Sequence, residues 1–97
     1  MTEVVVACVG EDGAWTCSVR VVGPRRTTEH VVSVDEVDLP ASLDGAEVDD
    51  IEHLVRTTFE FLLEREPNES ILTRFDLSVV EGYFPEYPAE IARRVTA

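Results

Sequence analysis

Residues 3–22 read EVVVACVGEDGAWTCSVRVV, and the fold turns on that stretch. Asp12-Gly13 at its centre suits a two-residue hairpin loop, because both central positions of such a turn need positive φ. Apolar residues alternate on either side of it at the period of a half-buried strand. With these two residues as the loop, Cys8 faces Cys17, Val6 faces Val19 and Val4 faces Val21. One face of the hairpin is then apolar throughout, with Trp15 joining it, while Glu3, Thr16, Ser18 and Arg20 mark the other. A slip of one residue would scatter the apolar set, so the register supports itself.

Working outward, Gly23-Pro24 turns the chain into a third strand at about 29–35, which adds Val32 and Val34 to the same face. Asp35 to Gly45 is acidic and contains Pro40, so it reads as a connection. A long helix follows at about 47–65, starting near Asp44 or Glu47. Acids at 47, 49, 50 and 52 suit the positive end of its dipole. Ile51, Leu54, Val55, Thr58, Phe59, Leu62 and Leu63 form one broad stripe that covers the hairpin's apolar face. Glu52 and Arg56 stand four apart on the exposed side as an ion pair. Phe61 falls off the stripe.

Pro67 ends this helix. Asn68 to Phe75 is expected to form a short helix burying Ile71, Leu72 and Phe75. Asp76 caps a second, carrying Leu77, Val80, Tyr83 and Phe84. Pro85 stops that one, and Pro88 opens a last helix with Ile91 and Val95. Strands first and helices after predict a single α+β domain over 1–97. Its expected core is a three-stranded antiparallel sheet, the hairpin 3–22 plus the strand at about 29–35. The long helix covers it, and two or three short C-terminal helices wrap the end.

Composition limits function. All eight basic residues are arginine, against twenty acids, for a formal charge of −12. That balance disfavours direct nucleic-acid binding and anionic membrane surfaces. It suits a basic partner or, as an alternative, mimicry of nucleic acid; a solvated acidic face is the plainer account. No basic-then-apolar leader and no spanning run appears, so a cytoplasmic location with reduced cysteines is expected. Asn68-Glu69-Ser70 fits a glycosylation pattern but carries no weight without export.

Cys8 and Cys17 fall opposite each other at a non-hydrogen-bonded site, where side chains are close. On an apolar strand face they are expected to be small buried hydrophobes rather than a redox pair. With His30 they form the weak metal alternative, a ligand-binding domain without any CxxC or HxxxH spacing. No cofactor is called for. Glu60 and Glu64, or Glu81 and Glu86, are carboxylate pairs of the kind twenty acids produce by chance. Neither GxSxG nor a glycine-rich phosphate loop occurs, so no enzyme is expected.

Six of the seven aromatic residues lie between Phe59 and Tyr87. Rigid aromatics beside prolines at 83–88 have the composition of interface anchors. Tyr83, Phe84 and Tyr87, with Phe61, are therefore the candidate partner-binding residues; capping the core is the competing account. The strings FEFLLEREP (59–67), SIL (70–72), FDLSVV (75–80) and YFPEY (83–87) resemble a group of small uncharacterised prokaryotic proteins from high-GC bacteria and haloarchaea. The resemblance covers the second half of the chain and implies no activity and no functional residues. The expected role is a non-catalytic protein-interaction module, a small regulator or accessory subunit, binding an unknown protein partner or itself.

Overall fold

A computed structural model describes residues 2–39 and 47–95. The expected connection at Pro40 and the alternative helix start at Asp44 lie outside the described residues. Strands β1 (Glu3–Glu11) and β2 (Ala14–Val22) form the hairpin, with Cys8 opposite Cys17 and Glu11 opposite Ala14. Asp12 (φ 47°) and Gly13 (φ 79°) occupy the left-handed region that the two-residue loop demands. Strand β3 (Thr27–Asp35) pairs antiparallel with β2. Val6, Cys8, Cys17, Val19, Val21, His30, Val32 and Val34 bury one face of this sheet. Trp15 lies over its cross-strand partner Gly10, where a Cβ would meet the indole at 2.8 Å.

Helix α1 (Val48–Leu63) crosses that face. Its start is held by the Glu47 N–H, which donates to the Asp50 carboxylate at 3.0 Å. The exposed Glu52–Arg56 pair expected from the spacing is replaced by two contacts with the edge strand. Glu52 accepts the Cys8 N–H at 2.9 Å, and Arg56 Nε donates to the Val4 carbonyl at 3.4 Å. Residues at non-hydrogen-bonded sites of β1 point their peptide groups away from β2. The two side chains thus satisfy part of a sheet edge that would otherwise invite another strand.

The sheet has a fourth strand that the sequence reading lacks. Asn68–Ser70 is a 3-10 turn, and the chain then extends into β4 (Arg74–Asp76), parallel to β3. The sheet is therefore mixed, in the order β1-β2-β3-β4. The short helix expected over 68–75 gives way because β3 offers a free edge. Val31 N–H donates to Thr73 O, and Leu77 N–H to Ser33 O, each at 2.8 Å. A parallel pair needs a long crossover, and α1 provides it. Extended geometry also turns Leu72 outward, 48% exposed, while Ile71 and Phe75 stay buried.

Asn68 ties this second half to the sheet. Its side-chain amide, buried, donates to the Arg26 carbonyl and the Thr28 hydroxyl, both at 3.0 Å. An Asn so enclosed has no room for a glycan. Two short helices follow: α2 (Val79–Tyr83) and α3 (Tyr87–Val95). Ser78, not Asp76, occupies the cap position of α2, while Asp76 accepts the Ser78 N–H at 3.1 Å in the turn before it.

Candidate functional site

The four ring candidates separate by position. Phe61 is fully buried (0% exposed), which corrects its reading as an exposed anchor. Its position on α1 flanks the stripe that meets the sheet, beside Leu54, and is covered by the C-terminal segment. The ring stands edge-on to Phe84 (5.8 Å, 83°) and Tyr87 (5.3 Å, 68°). Tyr87 is buried too, and Phe84 is half-buried against the core. Only Tyr83 faces solvent, 68% exposed.

Charged side chains close over the buried rings. The Arg65 guanidinium lies 3.6 Å from the Phe61 ring centroid, and Arg94 is 5.7 Å from it. Arg65 also approaches Glu64 and Glu86, at 3.4 and 3.5 Å. Arg94 meets Glu64 at 2.8 Å and Glu90 at 2.9 Å, and Arg93 also pairs with Glu90. The hydrogen bond from Arg94 holds the Glu64 carboxyl below the usual carboxylate range, with Arg65 adding to it. Bonds from Arg93 and Arg94 do the same for Glu90. Glu64 and Glu86, members of the two carboxylate pairs noted above, are therefore ion-pair partners.

Tyr87 Oη lies 2.8 Å from Thr58 Oγ1, which itself donates to the Leu54 carbonyl at 2.9 Å. The threonine's single hydrogen is thereby used, so the phenol donates. Burial pushes the Tyr87 phenol up to about 12, and the Glu81 charge adds to the shift. Because the folded state holds this proton more tightly than an unfolded tyrosine near 10, the contribution is whole below pH 10. It is lost as pH rises from 10 through 12, and amounts to about 2–3 kcal/mol. Urea unfolding at pH 9 and pH 12 should show that excess loss in the wild type. Tyr87→Phe should remove it, and an unchanged alkaline slope in the variant would contradict the assignment.

His30 and the two cysteines do not gather into a metal site. Cys8 and Cys17 form a disulfide, which corrects the expectation of two reduced thiols. The register sets them directly opposite at a site of close approach, so the bond needs no rearrangement of the strands. His30 is buried with Nδ1 2.7 Å from the Leu72 carbonyl and Nε2 2.9 Å from Thr28 Oγ1. A carbonyl only accepts, so Nδ1 carries the hydrogen. Thr28 Oγ1, paired with Nε2, also accepts from Asn68. Both ring nitrogens are committed to joining β3 to the 68–72 segment. Among the described residues, no group of three or more His, Cys, Asp or Glu is placed to hold a metal ion.

Asp76 has three local donors. It accepts from Ser33 Oγ at 2.7 Å and from Ser78 Oγ at 2.6 Å, as well as the Ser78 N–H. Burial works against its charge, but these bonds outweigh it and hold the carboxyl below the usual range. A carboxylate so stabilised is a poor base, and its role is to fix the turn from β4 into α2. Nearby, burial and then the charges of Asp76, Asp35 and Glu81 raise Asp38.

What remains is apolar surface. Val5 and Val9 are exposed on the outer face of β1. Leu72 and Tyr83 differ from them in sharing one groove of about 200 Å³. Ile71, Phe75, Val80 and Phe84 line its floor and walls, and Glu66 and Ser70 are its polar members. Leu72 and Glu66 are the residues that the sequence reading missed here. Period-two alternation over 71–75, with Ile71 and Phe75 on one side and Leu72 and Arg74 on the other, was the available signal for Leu72. No protein-family model, curated protein or solved structure matches this chain.

Proposed function

We propose that the chain is a non-catalytic protein-interaction module, a small regulator or accessory subunit, that seats an apolar side chain of its partner between Leu72 and Tyr83. The carrying observation is that these two exposed apolar residues wall the same groove. Tyrosine is favoured at interface centres because it adds rigid apolar area and a polar tip at low entropic cost. Phe84 serves as the groove's base. Phe61 and Tyr87 support it from within.

The partner is another protein or a second copy of this chain. Direct nucleic-acid binding is outside the reading, since a charge of −12 works against phosphate contacts. No helix among the described residues is long and apolar enough to cross a membrane. A cytoplasmic location belongs to the same proposal. The Cys8–Cys17 disulfide is the feature that argues against it, because disulfides persist mainly in oxidising compartments.

Leu72→Ser with Tyr83→Ser tests the groove. Both residues are exposed, so the melting curve should stay within about 0.5 kcal/mol of wild type. Recovery of the partner from host extract should fall, with affinity weaker by about 30-fold, the cost of one aromatic hot spot. Undiminished binding by the folded double variant would place the interface elsewhere.

A further inference from the structure

We propose that the groove's occupant is a basic protein segment: one aliphatic or aromatic anchor flanked by an arginine or lysine that pairs with Glu66. This rests on the groove being the interaction surface. A volume of about 200 Å³ holds one large side chain, since an apolar cavity of about 150 Å³ accepts benzene. Apart from the Tyr83 phenol, the polar groups of the lining belong to Glu66 and Ser70, and Glu66 carries its only charge.

Glu66 combines a place in the groove lining with half-burial, whereas Glu60 and Glu69 are exposed outside it. Glu64, Glu86 and Glu90 are each held by an arginine. Glu66 is half-buried in the groove wall and, among the described residues, makes no ion pair. A carboxylate beside apolar surface with no cation of its own is the complement of a cation carried next to an apolar anchor. The bond so formed is charge-assisted and gains from the drier setting. The chain's charge of −12 speeds the approach of such a segment and repels acidic competitors. It also works against a second copy as occupant.

A protein segment fits better than a small organic cation. Tyr83, 68% exposed, and Leu72, 48% exposed, carry the apolar wall out beyond the groove. A small molecule seated inside would leave that surface wet, whereas small-ligand sites enclose most of their ligand. A chain continuing past its anchor covers it.

A random peptide library displayed on phage and selected on the full chain provides the test. Enriched sequences should share a Leu, Phe or Met with an Arg or Lys one or two positions away. A synthetic peptide of that consensus should bind wild type about tenfold more tightly than its citrulline copy. On Glu66→Gln the two peptides should bind alike, and on Leu72→Ser/Tyr83→Ser neither should bind. Consensus peptides without basic residues, or a citrulline copy as tight as the arginine peptide, would overturn the basic segment and leave the groove standing. Peptides that bind the Leu72→Ser/Tyr83→Ser variant undiminished would overturn the groove itself. Phenethylguanidinium binding to wild type, with no peptide enriched, would assign a small cation and overturn the proposal.

Discussion

Replacing Phe61 with alanine is expected to cost the fold about 3–5 kcal/mol, the range for deleting a fully buried phenylalanine. The ring is 0% exposed and packs edge-on against Phe84 and Tyr87, so its loss leaves a cavity that two other rings must line. Arg65 adds to the cost, because its guanidinium rests 3.6 Å from the ring centroid and loses that face. Domains of this length are stable by about 5–15 kcal/mol, so the variant should sit near the margin of folding. Its urea midpoint should drop sharply at unchanged slope. Tyr83→Ala, next to Phe84 in the chain but exposed, should move the midpoint little. A Phe61→Ala variant losing under about 1 kcal/mol would return that ring to the surface.

Removing the disulfide has the second large effect. A bridge spanning a sequence separation of 9 stabilises by about 2–3 kcal/mol in the chain-entropy account. Cys8→Ala with Cys17→Ala should therefore lower stability by that amount while keeping the fold. The hairpin register does not depend on the bridge: Asp12-Gly13 sets the loop, and Val6, Val19 and Val21 set the buried face. Alkylation of unreduced, unfolded protein should find no thiol, and two after reduction. Two thiols before reduction would contradict the bridge and favour the cytoplasmic expectation.

Local features of this chain were legible and distant ones were not. Asp12-Gly13 and the flanking alternation gave the β1–β2 register residue for residue, because a two-residue loop leaves no freedom. The helix over 48–63 was equally plain from its stripe and acidic start. The α+β class followed from these, but β4 did not, since a three-residue parallel strand has no turn to announce it. Its pairing depends on α1 carrying the chain back across the sheet.

Phe61 was misread for a related reason. The stripe correctly names the face of α1 that meets the sheet, but α1 is buried on a second face by the segment that follows it. Thr57 and Phe61 belong to that second face. The cysteine geometry was legible from the register, while the oxidation state was not, because spacing says nothing about redox environment. Of the proposed site, Tyr83 and Phe84 stood out by composition. Leu72 joined them only once extended backbone replaced the expected helix, and Glu66 only once the fold set the end of α1 beside α2.

Among the described residues, the Leu72–Tyr83 groove and the Val5–Val9 stripe of the open sheet each pair two exposed apolar side chains and so compete as the docking face. Photo-crosslinking separates them directly. Benzoylphenylalanine placed singly at positions 72, 83, 5 and 9 leaves the buried core untouched and reports what lies against each site. The groove account predicts a partner adduct from 72 and 83 and none from 5 or 9. Adducts from 5 and 9 with none from 72 and 83 would contradict it and move the interface to the sheet.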